Sequence, residues 1–170
     1  KRGKHKNNGK LKLFSATKPF ETVSIDIFRP LPETESCYRY FVSMIDRFSR
    51  YCMLVPCADI KAWTIIKCLD DWVSTFGPPE VILSDNGPQF ISEIFKNFNK
   101  VNNTKLKFTT TCHPECNGMV ERLHRWIKER LALISYDAGL IFETGESDWS
   151  HYLNIIQCSI IQHQIKWLNS

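Results

Sequence analysis

The chain has 170 residues, of which 43% are hydrophobic and 24% charged, a composition typical of one globular domain with a proper core. No apolar run approaches the roughly 20 residues that a membrane-spanning helix needs, and the basic N-terminus lacks the apolar stretch of a secretory signal. Residues 1–12 carry six Lys or Arg and no acid, whereas residues 13–170 carry 16 basic and 18 acidic residues. Residues 1–17 are therefore predicted to form a basic, disordered tail, either a phosphate-binding arm or a solvated linker.

The seven cysteines include no C-x-x-C pair, which predicts free thiols in a reducing intracellular compartment. Cys112, His113 and Cys116 have the spacing of metal ligands. A structural zinc site needs four ligands, however, and no second pair follows, so zinc is the weaker interpretation of this cluster.

Three strand patterns open the folded part, over residues 21–28, 39–46 and 50–57, and their short connections predict an antiparallel meander. Alternation along the first places Asp26 on the face opposite the apolar side chains of Val23 and Ile25.

Helical and strand periods alternate along the rest of the chain. They predict helices over 58–77, with Asp59 as N-cap, over 91–101, with Ser92 as N-cap, over 119–136 and from about Trp149, and strands over 81–85 and 105–111. A meander followed by alternating elements predicts an α/β fold, with a five-stranded mixed sheet flanked by helices. Trp63 and Trp72 are expected in the core, and Asp46, Asp70 and Asp71 on the solvated surface.

Three acids stand out by their positions: Asp26 on the first strand, Asp85 at the end of the fourth, and Glu121 in the first turn of the long helix. A crossover connection normally places the first strand beside a later parallel one, so Asp26 and Asp85 can meet at neighbouring strand ends. Carboxylates that converge repel each other unless a divalent cation neutralises them, and we expect the three to lie close enough to share one. The alternative for Asp85 is that it only starts the turn Asn86-Gly87-Pro88.

Four segments, KPFETVSIDIF, YFVSMIDRFSRY, FGPPEVILSDNGPQF and HPECNGMVERLHRWIK, carry a resemblance to a known family, together with the 35 residues that separate Asp85 from Glu121. Over residues 18–157 the chain resembles the catalytic core of retroviral and Ty3/gypsy-type integrases, which are DDE polynucleotidyl transferases. The resemblance implies an RNase H-like fold. It also implies that Asp26, Asp85 and Glu121 are catalytic and hold two Mg²⁺ or Mn²⁺ ions. The implied reactions are trimming of DNA 3′ ends and strand transfer into target DNA.

The resemblance further implies DNA contacts for some polar side chains and a flexible loop over the site. The DNA-binding candidates are Lys128, Arg125, Asn86, Gln89 and Asn117, and the loop candidates are His113, Pro114 and Gly118. Glu121, Arg125 and Lys128 are spaced i, i+4, i+7 and share one helical face, where an intrahelical Glu–Arg salt bridge is the alternative. For Asn86 and Gln89, turn and cap chemistry is the alternative.

The implied partners are element-end and target DNA and further copies of the chain in a homodimer or higher multimer, with no membrane and no small-molecule substrate. The implied location is the nucleus. Residues 158–170 depart from the family pattern, since they lack its Thr-Gly-x-x-Pro sequence, and form an atypical C-terminal end. An inactive or domesticated nucleic-acid-binding remnant is the alternative function. An RNase H-type nuclease is disfavoured, because such enzymes use four acids and lack the HPxxNGxVER loop.

Overall fold

The computed structural model of the protein describes residues 16–28, 30–109, 114–137 and 148–168, and a five-stranded sheet forms its centre. Strands β1 (Thr22–Ile27), β2 (Tyr40–Asp46) and β3 (Cys52–Cys57) form an antiparallel meander. Strands β4 (Val81–Ser84) and β5 (Lys105–Phe108) add in parallel, giving the order β3-β2-β1-β4-β5. The predicted mixed sheet is confirmed. Most of the predicted tail, residues 1–15, lies outside the described residues.

Five helices lie in the described ranges: α1 (Ala62–Phe76), α2 (Pro88–Ile91), α3 (Glu93–Val101), α4 (Pro114–Asp137) and α5 (Trp149–Leu168). The N-cap predicted at Ser92 is confirmed, since its side chain accepts a hydrogen bond from the Phe95 N–H. The N-cap predicted at Asp59 is wrong, because α1 begins later and Asp59 instead accepts from the backbone of Lys61. The last predicted boundary, at residue 157, falls inside α5.

The alternation of side chains across the strands produces two apolar cores, one on each face of the sheet. The first core joins Val23, Ile25, Val42 and Met44 to side chains of α1, α2 and α3, such as Leu69, Phe90 and Phe95. The second core joins Phe41 and Ile45 to side chains of α4 and α5, such as Ile127, Leu131, Trp149 and Leu153. Asp26 alternates with Ile25, so it lies on the side of the second core, beneath α4.

The core prediction is correct for Trp72, which is fully buried, and wrong for Trp63, which is 58% exposed. The buried stripe of α1 includes Ile65, Leu69 and Trp72, which recur at i, i+4 and i+7. Trp63 therefore lies on the opposite flank of the helix, where the Lys67 ammonium lies 5.7 Å from its ring centroid.

Asp46 was expected on the surface with Asp70 and Asp71, and for Asp46 that prediction is wrong. Asp70 and Asp71 are exposed, but Asp46 is fully buried at the end of β2. Its carboxylate accepts hydrogen bonds from the backbone N–H groups of Phe20, at 3.0 Å, and Ser49, at 2.8 Å, and from the Ser49 hydroxyl. Asp46 thus connects the segment before β1 to the β2–β3 turn.

The free edge of the sheet at β3 is covered by α5, where Gln157 Oε1 accepts a hydrogen bond of 2.8 Å from the Leu54 N–H. A covered edge cannot pair with a strand of another molecule. Within the described ranges, no helix is both long enough and apolar enough to cross a membrane.

Candidate functional site

Asp26 and Asp85 come together through the parallel pairing of β1 with β4. The paired residues are Thr22 with Val81, Val23 with Ile82 and Ser24 with Leu83, a constant offset of 59 residues. The same offset carries Asp26 to Asp85, just past the end of β4. Because parallel strands end at the same edge of a sheet, the two acids lie at one edge.

The Asp85 carboxylate is exposed, and its Oδ1 accepts a hydrogen bond of 2.9 Å from the Gly87 N–H. The turn interpretation of Asp85 is therefore correct, since its side chain accepts a hydrogen bond from the turn backbone. This contact does not remove the carboxylate from the site. Gly87 has an ordinary φ of −57°, so positive φ does not explain the glycine. A Cβ there would lie 2.3 Å from Gln89 Nε2 and 3.0 Å from Asp85 Oδ1, so a larger residue would displace these two side chains. Asn86 is exposed beside Asp85, and Gln89 is half-buried.

Glu121 lies on α4, where its exposed side chain acts electrostatically on Asp26. Burial, with a smaller contribution from the negative charges of Asp85 and Glu121, raises the pKa of Asp26 to about 6 against the lowering effect of the hydrogen bond from the Ile27 N–H. Since α4 begins at Pro114 rather than Met119, Glu121 lies well inside the helix, and its predicted position in the first turn is wrong.

Within the described part of the chain, no three His, Cys, Asp or Glu side chains lie close enough together to hold a metal ion. The expectation that Asp26, Asp85 and Glu121 lie within reach of one shared ion is therefore wrong for this structure. Like charges repel, and the backbone N–H groups of Ile27 and Gly87 each hold one oxygen of Asp26 and Asp85. The donor set still fits a hard divalent cation, since all three side chains offer carboxylate oxygens whose mutual repulsion a cation removes.

Two further polar side chains adjoin Asp26. His124 Nδ1 lies 3.8 Å from Asp26 Oδ2, and His124 Nε2 lies 2.7 Å from the hydroxyl of Ser43 on β2. Burial lowers the pKa of His124 to about 4, so the ring is neutral at physiological pH. Sequence reasoning missed both residues. The available signals were a serine between Phe41 and Ile45 on an apolar strand face and a histidine one helical turn after Glu121.

The exposed face of α4 carries Glu121, Arg125 and Lys128, as the i, i+4, i+7 spacing predicted. Among the described residues no ion pair joins Glu121 to Arg125, so the intrahelical salt bridge is not formed in this structure. Arg125 and Lys128 are both exposed on this face.

The predicted loop before α4 differs from the structure. Pro114, Asn117 and Gly118 lie on the backbone of α4, so the loop assignment of Pro114 and Gly118 is wrong, and His113 lies outside the described residues. Pro is tolerated in the first turn of a helix, because the N–H that it lacks has no partner there.

Comparison with known proteins gives a consistent result. The family model described as integrase core domain matches residues 16–114. The Transposon Tf2-3 and Tf2-4 polyproteins of Schizosaccharomyces pombe are each 30% identical over 158 residues, which is 91% of this chain and 11% of each polyprotein. The chain therefore spans only a small part of these relatives.

Two solved structures share the fold. The HTLV-2 integrase catalytic core domain in complex with magnesium (dimeric form) is 21% identical with a TM-score of 0.64, over 82% of this chain and 84% of that chain. The simian T-cell lymphotropic virus intasome in complex with PP2A regulatory subunit B56 gamma gives 18% identity and a TM-score of 0.70, over 84% of this chain and 49% of that chain. The architecture is RNase H-like, as predicted.

Proposed function

Since this chain belongs to the integrase core domain family, we propose that it is the catalytic core of a retrotransposon integrase. It would be a DDE polynucleotidyl transferase that trims DNA 3′ ends and transfers them to target DNA. The observation that carries the proposal is the parallel register of β1 and β4, which brings Asp26 and Asp85 to one edge of the sheet. Glu121 supplies the third carboxylate from α4.

In the proposed mechanism Asp26, Asp85 and Glu121 would hold two Mg²⁺ or Mn²⁺ ions. Such ions, when bound, stabilise the attacking and leaving oxygens of an in-line displacement at phosphorus. The two strands fix the aspartates relative to each other, and α4 holds Glu121 above them, so the protein contributes mainly position. Ser43 has no nucleophilic role in this scheme, since its hydroxyl is buried.

Arg125 and Lys128 are proposed to hold the DNA backbone beside the carboxylates, because both are exposed on the Glu121 face of α4. The Arg125→Ala, Lys128→Ala double variant should bind duplex DNA roughly 50-fold more weakly near 0.1 M salt, with a salt slope reduced by about two. Fluorescence anisotropy across a salt series measures both quantities.

The matched control is Lys67→Ala, Lys100→Ala. It removes the same charge from exposed positions on α1 and α3, across the sheet from α4. Equal losses for the two double variants would show that the chain responds only to net charge and would contradict a DNA-binding face on α4.

The function itself is tested by disintegration and strand-transfer assays with labelled DNA in Mn²⁺. The unmodified chain should yield product that EDTA abolishes, and Asp85→Asn should yield almost none. Equal product from both would contradict the catalytic proposal. Mn²⁺-independent DNA binding without any product would instead support the alternative of a domesticated binding remnant.

The wider proposals concern the whole element protein, because the chain matches 11% of its polyprotein relatives. We propose that element-end DNA and target DNA are its substrates, that the core works as a homodimer or higher multimer, and that it acts in the nucleus. Residues 1–17 are proposed as a phosphate-binding arm, residues 18–157 as the catalytic core and residues 158–170 as an atypical end. Asn86, Gln89 and Asn117 are proposed as further DNA contacts.

A further inference from the structure

His124 and Ser43 form a buried polar pair in the second core, next to Asp26. The pairing of β1 with β2 places Ser43 directly opposite Asp26, and the imidazole of His124 lies over both from α4. Ser43 is fully buried, and the His124 side chain is 16% exposed. A buried polar group with such specific partners is rarely incidental, because each unpaired polar atom costs roughly 1–3 kcal/mol.

The arrangement has the residue types of a Ser-His-Asp hydrolase triad, and burial excludes that chemistry. The Ser43 hydroxyl has no exposure, and Ser43 is paired on both sides, with Asp26 of β1 and Leu54 of β3. No acyl substrate can reach the hydroxyl oxygen between two strands. The charged group beside the pair is instead the carboxylate of Asp26, whose Oδ2 lies 3.8 Å from His124 Nδ1.

The ring surroundings fix the position of the imidazole. Its centroid lies 5.2 Å from that of Phe28 and 6.1 Å from that of Phe41, and the imidazole is in a T-shaped arrangement with both rings. Phe28 and Phe41 stack on each other at 4.5 Å, so His124 rests on a rigid aromatic pair. This packing leaves its two nitrogens aimed at fixed neighbours.

The tautomer of His124 depends on its two polar neighbours, Ser43 and Asp26. Ser43 has one proton to donate, either to Nε2 at 2.7 Å or to the Asp26 carbonyl oxygen at 3.3 Å. If it goes to Nε2, the ring hydrogen resides on Nδ1, which lies 3.8 Å from Asp26 Oδ2. In the other arrangement the Nδ1 lone pair faces the ionised carboxylate and repels it. The 2.7 Å contact is a hydrogen bond in either arrangement, because Nε2–H can equally donate to the Ser43 oxygen, so it is the negative charge of Asp26 beside Nδ1 that favours the first.

We infer that His124 is a positioning residue for the cation site: its Nδ1–H faces Oδ2 of Asp26 and attracts it electrostatically, while the Ile27 N–H donates a hydrogen bond to Oδ1. The Ile27 contact is 2.8 Å, whereas the His124 contact at 3.8 Å is electrostatic rather than a hydrogen bond. Donors placed on both oxygens orient the carboxylate before a cation arrives, which is the usual role of outer-shell partners. The inference rests on the proposed function.

The test is a Mn²⁺ titration of His124→Asn and His124→Gln by isothermal calorimetry. The Asn amide reproduces a donor near Nδ1, which faces Asp26, whereas the Gln amide reproduces one near Nε2, which faces Ser43. Both lose the ring from the same aromatic site, so a merely structural role predicts equal effects. We expect His124→Asn to bind within about threefold of wild type and His124→Gln at least about tenfold more weakly.

Ser43→Ala, which keeps the imidazole and removes the hydrogen-bond partner of its Nε2, should also weaken Mn²⁺ binding. His151→Gln is the matched control, since His151 is 80% exposed and also lies 3.8 Å from an aspartate, Asp148. Wild-type binding by His124→Gln, or equal losses in the Asn and Gln variants, would overturn the role of His124. If the Asp85→Asn variant binds Mn²⁺ as tightly as the unmodified chain does, the proposed cation site fails and the inference with it.

Discussion

Asp85→Asn is expected to lower the strand-transfer rate at least about 100-fold, which corresponds to about 2.7 kcal/mol in the activation barrier. The substitution removes a negative charge at the sheet edge where Asp26 and Glu121 also act. The Asn Oδ1 can still accept the hydrogen bond from the Gly87 N–H, so the turn after β4 is retained. Initial rates in Mn²⁺ measure the effect, and the thermal midpoint verifies folding.

Asp71→Asn is the control for this substitution, because Asp71 is an exposed carboxylate on α1, on the far side of the sheet. The Asp71→Asn variant should carry out strand transfer at the wild-type rate. An Asp85→Asn rate within twofold of wild type, with the fold intact, would contradict the assignment of Asp85.

Asp46→Ala is expected to lower the free energy of unfolding by about 3–5 kcal/mol, since it removes a buried, hydrogen-bonded carboxylate. The backbone N–H groups of Phe20 and Ser49 both lose their acceptor. The loss also frees the segment that anchors Phe20, whose ring stacks on that of Phe76 at 4.6 Å. Urea unfolding measures the change.

Asp70→Ala, at an exposed position on α1, should change the same free energy by no more than about 0.5 kcal/mol. A loss below about 1 kcal/mol for Asp46→Ala would contradict the structural role given to this carboxylate.

The sheet could be predicted because short connections join its first three strand patterns and because, as a rule, a crossover connection places the first strand beside a later parallel one. That rule was sufficient to bring Asp26 beside Asp85 without any structural information. The start of α4 could not be predicted, since Pro114 and Gly118 are equally strong signals for a loop. Only the backbone geometry shows Pro114 in the first turn, where proline is tolerated.

The surroundings of individual polar side chains were out of reach for a different reason. Asp46 looks like a surface turn residue, and its burial depends on Phe20, which is 26 residues away in the chain. His124 and Ser43 are 81 residues apart and meet only when α4 packs over β2. Such contacts depend on how the helices pack on the sheet, and local sequence periodicity does not predict that packing.

The most direct test of the central claim is a Mn²⁺ titration of the chain and of Asp26→Asn, Asp85→Asn and Glu121→Gln. The account predicts saturable binding that each of the three substitutions weakens at least about tenfold, because the three carboxylates hold the same cation site. Wild-type binding in all three variants, or a loss in one alone, would contradict a shared site.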